Sequence, residues 1–401
     1  MRQFLPYGRQ SICQQDIDAV VKVLKSDYLT QGPAVVGFEK DICDYVGADF
    51  AVACSNGTAA LHLSFMAAEF CENDYVIVPA ITFAASANGA KFTGAEIVFA
   101  DINQDTACIS ANSCRNILES KKKNGKIAIV TVDLAGHPCD MQEFINLRKE
   151  FDFFWVHDAC HSIGAHWYDE KNNKNMIGNC NGPDVCVFSF HPVKHITTGE
   201  GGMVVTNDFA LAEKLKLYRT HGITKDKQLF KNNTQAFDLT GNANMWYYEM
   251  QSLGNNYRMS DIQAALGSSQ LKKLSSFINR RRKIAALYRQ KLADVKNIEP
   301  LKQKQSVGHA YHLFICLVDF ATINKTRNQV MNELKSTGVG TQVHYIPLPL
   351  MPFYQAGHSV VGESMRYYEQ ALSIPCFPDM KDADVDYVVK VIDEVLNGAK
   401  G

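Results

Sequence analysis

Seven short runs of apolar residues punctuate the first half of the chain, at 51–54, 75–78, 97–100, 127–132, 153–156, 185–190 and 203–206. Runs of this length, bounded by turn residues, predict buried strands. Segments of helical character lie between them, at 59–70, 83–91, 113–123 and 140–151. Strands alternating with helices predict a mostly parallel sheet covered on both faces. Upstream, Ile17, Val20, Val21 and Leu24 recur at helical spacing, after an irregular arm at 1–12. The pattern changes after residue 254. A helix-rich stretch from Ser260 leads through 280–292. Apolar runs at 309–318 and 340–345 then flank a helix at 324–336, and a last helix covers 384–396. We therefore expect an α/β chain with a large domain at 1–254 and a smaller α+β domain at 255–401. Residues 169–182 predict an exposed loop or hairpin, and 222–252 a long polar and aromatic loop of functional or interface character.

Composition narrows the function classes. A chain of 401 residues with a formal net charge of −1 gives no reason to expect a nucleic acid or a membrane surface as partner. The N-terminal MRQFLPYGRQ has no apolar core segment, so no secretory signal is expected there. No apolar stretch reaches the roughly 18 residues of a membrane span. The twelve cysteines show no paired CxxC spacing, which suits reduced thiols in a cytoplasmic enzyme rather than a disulfide or zinc framework.

Candidate chemistry gathers where strands end. The run at 185–190 is followed by Lys194, two threonines, Gly199, Glu200 and the pair Gly201-Gly202. A lysine desolvated beyond a buried strand loses its proton more easily, and a neutral amine forms a Schiff base with an aldehyde cofactor. Ser189 supplies a hydroxyl suited to a phosphate oxygen. The run at 153–156 ends at Asp158, where an open α/β sheet presents ligand-binding groups. A carboxylate there keeps a pyridine nitrogen protonated, although an isolated aspartate equally serves as a cap. Ser55-Asn56-Gly57-Thr58 opens a helix; such a run is both an ordinary N-cap and a phosphate site. Phe83 is either core or a ring to stack on a cofactor, and Asn88 on the same helix suits capping, loop or substrate contact. His161, three residues after Asp158, is either a satisfied core imidazole or a polar contact. Tyr28-Leu29-Thr30-Gln31-Gly32 reads as a loop.

The motifs at Asp158 to His161 and Phe188 to Gly202, with Gly254-x-Asn256-Tyr257-Arg258-Met259, resemble the DegT/DnrJ/EryC1/StrS family of nucleotide-sugar aminotransferases. The resemblance runs from near the N-terminus to about residue 390. It implies a fold-type I pyridoxal phosphate (PLP) dependent transferase, aspartate aminotransferase-like. By the same resemblance Lys194 carries PLP and Asp158 faces the ring nitrogen. Phe83 stacks on the ring and His161 meets its oxygen or holds Asp158. Gly57, Thr58 and Ser189 bind the phosphate, and Asn256 reaches the phosphate of a second copy in a homodimer. Thr30, Gln31, His344 and Tyr345 lie toward the sugar. Leu29-Thr30-Gln31-Gly32, Val132-Asp133-x-Ala135-Gly136, Phe188-Ser189-Phe190-His191 before the lysine and Gln342-Val343-His344-Tyr345-x-Pro347 are most similar to the branch serving pseudaminic acid synthesis. That branch moves an amino group, from glutamate by analogy, to the 4-keto carbon of a UDP-linked 6-deoxy N-acetyl hexose. Bacillosamine- or perosamine-type 4-aminotransferases on UDP-, dTDP- or GDP-sugars are close alternatives. PLP-dependent sugar dehydratases carry histidine in place of the lysine kept here. A PLP sensor would need a DNA-binding extension, for which no basic helix-turn-helix pattern is present.

Overall fold

The computed structural model describes residues 4–120, 125–355 and 362–398. Nine strands lie in its first part: β1 Phe50–Cys54, β2 Tyr75–Pro79, β3 Glu96–Ala100, β4 Ile127–Val132, β5 Phe154–Asp158, β6 His166–Tyr168, β7 Lys174–Met176, β8 Val185–Ser189 and β9 Gly202–Thr206. Seven of them form one sheet in the order β1-β9-β8-β5-β4-β2-β3. Only β9 runs against the others, pairing antiparallel with both β1 and β8. Each of the seven apolar runs in the first half of the chain contributes a strand. Strands β2, β4 and β9 are buried at every residue. This is the burial expected when helices cover both faces of a parallel sheet.

Helices α1 Gln14–Leu24, α2 Pro33–Val46, α3 Gly57–Ala67 and α4 Ala85–Lys91 belong to this unit. Helix α2 was not anticipated, although Val35, Phe38, Ile42 and Val46 make a buried stripe at helical spacing. The helix expected at 113–123 is observed over Ala111–Ser120, and 121–123 lie outside the described residues. The hairpin expected at 169–182 is β6 with β7, and the 222–252 segment carries a short pairing of Ile223–Thr224 with Glu249–Met250.

A second sheet of Ile298–Pro300, Phe314–Val318 and Ala371–Ile374 packs with helices Leu274–Leu292, Arg327–Ser336 and Asp382–Asn397 around its own core of Ile284, Tyr288, Phe314, Val330 and Val388. Helix Asp261–Leu271 packs on α1 and α2, so a division at residue 255 assigns it to the smaller unit in sequence and to the larger one in space. The N-terminal arm also crosses over. Leu5 bridges Val339 and is buried in the second core, while residues 1–3 lie outside the described residues.

Two expected strands are shorter than anticipated. The run at 309–318 is a strand only from Phe314. Before that, the amides of Ala310 and Leu313 donate to the carbonyls of Gly136 and Ala135 in the large unit, and Tyr311 has φ +51. Backbone groups spent across the joint cannot also form a ladder. Residues 340–345 form no regular strand, and only Gln342 bridges Ser373. Pro347 and Pro349 follow, and neither has an N–H to extend pairing.

Candidate active site

The carboxyl ends of the parallel strands converge on one edge of the sheet. β1 delivers Ser55 to Thr58, β2 the loop bearing Phe83, β5 Asp158 and β8 Ser189. The register sets Gly202 opposite both Cys54 and Ser189. A Cβ on Gly202 would lie 2.3 Å from the Asn56 carbonyl oxygen, so glycine lets the three strand ends close together.

Helix α3 opens at this edge. The Asn56 side chain caps it by accepting from the Ala59 amide at 2.8 Å. The first-turn amides of Gly57 and Thr58 have no partner within the helix, as at any helix start. A Cβ on Gly57 would meet the Ser189 Cβ at 3.0 Å and its Oγ at 3.3 Å. Two free amides, a helix dipole and an adjacent hydroxyl form a compact anion cradle.

Lys194 sits half-buried in the turn after β8, its amide donating to the His191 carbonyl at 2.9 Å. Desolvation pulls its ammonium below the ordinary lysine value, against the opposing charges of Cys160 and Asp158. Asp158 is buried at the end of β5. Its Oδ2 accepts from the Ser86 hydroxyl at 2.7 Å and its Oδ1 from the Cys160 amide at 3.2 Å. His161 does not hydrogen-bond Asp158. Its Nε2 lies 3.2 Å from the Tyr345 hydroxyl, and its buried Nδ1 has no partner. Burial first, and then the charge of Lys194, hold this imidazole neutral, well below the usual histidine value.

The remaining candidates divide. Phe83 is 58% exposed, a large ring presented rather than packed, with the Tyr345 ring 5.9 Å away. His344 is buried, its Nδ1 2.8 Å from Ser373 Oγ and its ring against Tyr7. Thr30 and Gln31 are exposed, on a loop pinned by Asp261, whose carboxylate accepts from the Gly32 and Ala34 amides at 2.8 Å each. Asn256 is exposed, next to Tyr257, whose carbonyl accepts the Ser55 amide at 2.7 Å. Asn88 contacts a loop, since its Oδ1 accepts from the Tyr354 hydroxyl at 2.7 Å.

Sequence reasoning missed three supports. Ser86 in α4 and Thr82 in the loop before it back Asp158, and their spacing of four was the available signal. Asp133 is fully buried beneath the site, with His157 Nε2 at 2.9 Å and the Ser162 hydroxyl donating at 2.6 Å. Burial alone would raise its carboxyl, but His157, Ser162 and the Cys139 amide together bring it below the usual range. Asp261 is the third, and nothing local marks it.

The residues present suit PLP. The cradle matches a phosphate, the desolvated Lys194 an aldehyde, Asp158 a ring nitrogen, and the unpartnered His161 Nδ1 a ring oxygen. Comparison with known proteins agrees. The model of the DegT/DnrJ/EryC1/StrS aminotransferase family matches residues 10–393. A Campylobacter jejuni protein named UDP-4-amino-4,6-dideoxy-N-acetyl-beta-L-altrosamine transaminase is 34% identical, over 99% of this chain and 98% of its own. The solved structure of Helicobacter pylori PseC, an aminotransferase involved in pseudoaminic acid biosynthesis, superposes with a TM-score of 0.87 at 28% identity, covering 99% of this chain and all of that one. The PLP form of a putative sugar aminotransferase, Spr1654 from Streptococcus pneumoniae, superposes with a TM-score of 0.84 at 27% identity, covering 98% of each chain.

Proposed function

The chain belongs to the DegT/DnrJ/EryC1/StrS family and is a PLP-dependent nucleotide-sugar aminotransferase, and from that premise we propose its substrates. It moves an amino group from L-glutamate to the 4-keto carbon of a UDP-linked 6-deoxy N-acetyl hexose, as in pseudaminic acid synthesis. The observation that carries this choice is the 34% identity over 99% of the chain with the altrosamine transaminase.

The bound cofactor supplies an electron sink and a carrier for the amino group. The side chains do the rest. Lys194 would hold the cofactor's aldehyde carbon, and its amine is placed to take and return the proton moved in each half-reaction. Desolvation of its ammonium suits it to that exchange. Asp158 holds the proton on the ring nitrogen. Gly57, Thr58 and Ser189 bind the phosphate, and Phe83 covers the ring and excludes water. His161 offers Nδ1–H to the ring oxygen when Tyr345 donates its hydroxyl to Nε2. Thr30, Gln31, His344 and Tyr345 form the sugar end.

The enzyme works as a homodimer in the cytoplasm, with Asn256 completing the phosphate site of a second copy. Support comes from the exposed apolar side chains of Leu239, Met245, Trp246 and Leu253 on the segment leading to it.

The test is a visible spectrum of the PLP-loaded protein before and after glutamate, followed by UDP-, dTDP- and GDP-linked 4-keto sugars. Glutamate should bleach the lysine-bound band, and the UDP sugar should restore it. Restoration only by a dTDP or GDP sugar would move the assignment to a perosamine-type enzyme. A band indifferent to every amino acid would refute transamination.

A further inference from the structure

Behind Asp158 lie two hydroxyls that the chemistry above leaves unused. Ser86 in α4 and Thr82 in the loop before it are 0% and 1% exposed. Ser86 Oγ lies 2.7 Å from Asp158 Oδ2, and Thr82 Oγ1 lies 2.8 Å from Ser86 Oγ. The hydrogen positions follow from chemistry. A carboxylate only accepts, so the single hydroxyl hydrogen of Ser86 points to Asp158. The Ser86 oxygen is then an acceptor, and Thr82 donates to it. The row Thr82 to Ser86 to Asp158 is thus polarised in one direction, and each bond strengthens the next.

The row is also held rigidly. A Cβ on Gly89, in the same helix as Ser86, would lie 2.7 Å from Leu61 Cβ and 3.0 Å from the Leu61 carbonyl carbon. Helix α4 therefore seats directly on α3, whose first turn forms the anion cradle. Asp158 and the cradle take their positions from one packed pair of helices. The Cys160 amide at 3.2 Å fixes the other carboxylate oxygen.

We propose that Ser86, oriented by Thr82, is a positioning residue that stabilises the negative charge on Asp158 and so keeps the shared proton on the cofactor ring nitrogen rather than on the carboxylate. The proposal rests on the assignment of Asp158 to that nitrogen. The competing role is local: two hydroxyls that merely satisfy each other at the start of a short helix. Such a role would affect folding but not where the proton sits. Hydrogen bonds to charged groups are strong enough to shift a two-state ratio about tenfold or more.

The experiment loads the wild type, Ser86→Ala and Ser86→Thr with PLP labelled with nitrogen-15 in the ring, and reads the ring nitrogen resonance. The wild type should show a protonated nitrogen. Ser86→Ala should move the proton toward Asp158 by about tenfold or more in the ratio of the two forms, while still binding PLP at Lys194. Ser86→Thr, which keeps the hydroxyl, should restore the wild-type resonance. A Ser86→Ala resonance identical to wild type would overturn the proposal. An unprotonated nitrogen in the wild type would instead refute the role of Asp158. Should Ser86→Ala fail to fold by circular dichroism, Thr82→Val removes the outer donor alone. It should shift the ratio in the same direction by less, and no shift would overturn the proposal equally.

Discussion

Mild acid should loosen the joint between the two sheets well before it titrates most carboxylates. Among the described residues, four imidazoles buried there share a lowered pKa: His161 and His195 from the large unit, and His312 and His344 from the small one. His312 lies 4.4 Å from His161 and 5.6 Å from His195, ring centre to ring centre. Burial, reinforced by the charge of Lys194, pushes all four below the ordinary histidine value. For His344 the pKa falls to about 3. The sign follows from linkage. The folded state keeps these rings neutral, whereas the unfolded chain takes up protons near pH 6.5. Their contribution is complete above that pH and is lost as pH falls below it. At about 1.36 kcal/mol per pH unit, His344 alone costs about 2 kcal/mol at pH 5. The other three rings, held neutral by the same burial, add to that cost, against the roughly 5–15 kcal/mol stability of a typical domain. Urea unfolding followed by circular dichroism between pH 8 and pH 5 measures this. We expect stability to be flat above pH 7, then to fall near pH 5 with a slope exceeding about 1.36 kcal/mol per pH unit, the share of His344 alone, as the other rings add to it. His312→Asn should remove about one proton from that slope. A slope equivalent to less than one proton would refute the account of the joint.

Lys194→Arg should abolish turnover and the lysine-bound absorbance band while leaving the circular dichroism spectrum unchanged; substantial surviving turnover would exclude Lys194 as the anchor. Gly202→Ala drives a methyl group to 2.3 Å from the Asn56 oxygen and 2.9 Å from the Gly57 nitrogen. The required shift costs about 1–3 kcal/mol, and fluorescence titration should show PLP affinity lowered about tenfold. Asp261→Ala removes both acceptors at the start of α2. It should cost about 0.5–2 kcal/mol in urea unfolding and raise KM for the sugar more than it lowers kcat, because the Thr30–Gln31 loop loses its tether. An unchanged KM would separate that loop from the sugar.

Local pattern carried the parallel sheet, the lysine beyond β8 and the aspartate closing β5. Strand burial on both faces requires uninterrupted apolar runs, and a run is visible without knowing what it packs against. Helix α2 was equally local, with its stripe of Val35, Phe38, Ile42 and Val46, but its polar interruptions hid it among loop signals. The strand expected at 340–345 was lost because an apolar run does not reveal whether its amides find a partner, and Pro347 and Pro349 end the pairing. Other contacts that hold the site were beyond any local pattern. Asp261 caps a helix 229 residues away, and Tyr345 reaches His161 across 184. The residue types that do chemistry are written in the chain, because an amine, a carboxylate and a hydroxyl keep their reactivity wherever they stand. Which hydroxyl backs which carboxylate, and which imidazole is held neutral, was decided only when tertiary packing removed water from those groups and left them only the partners within reach.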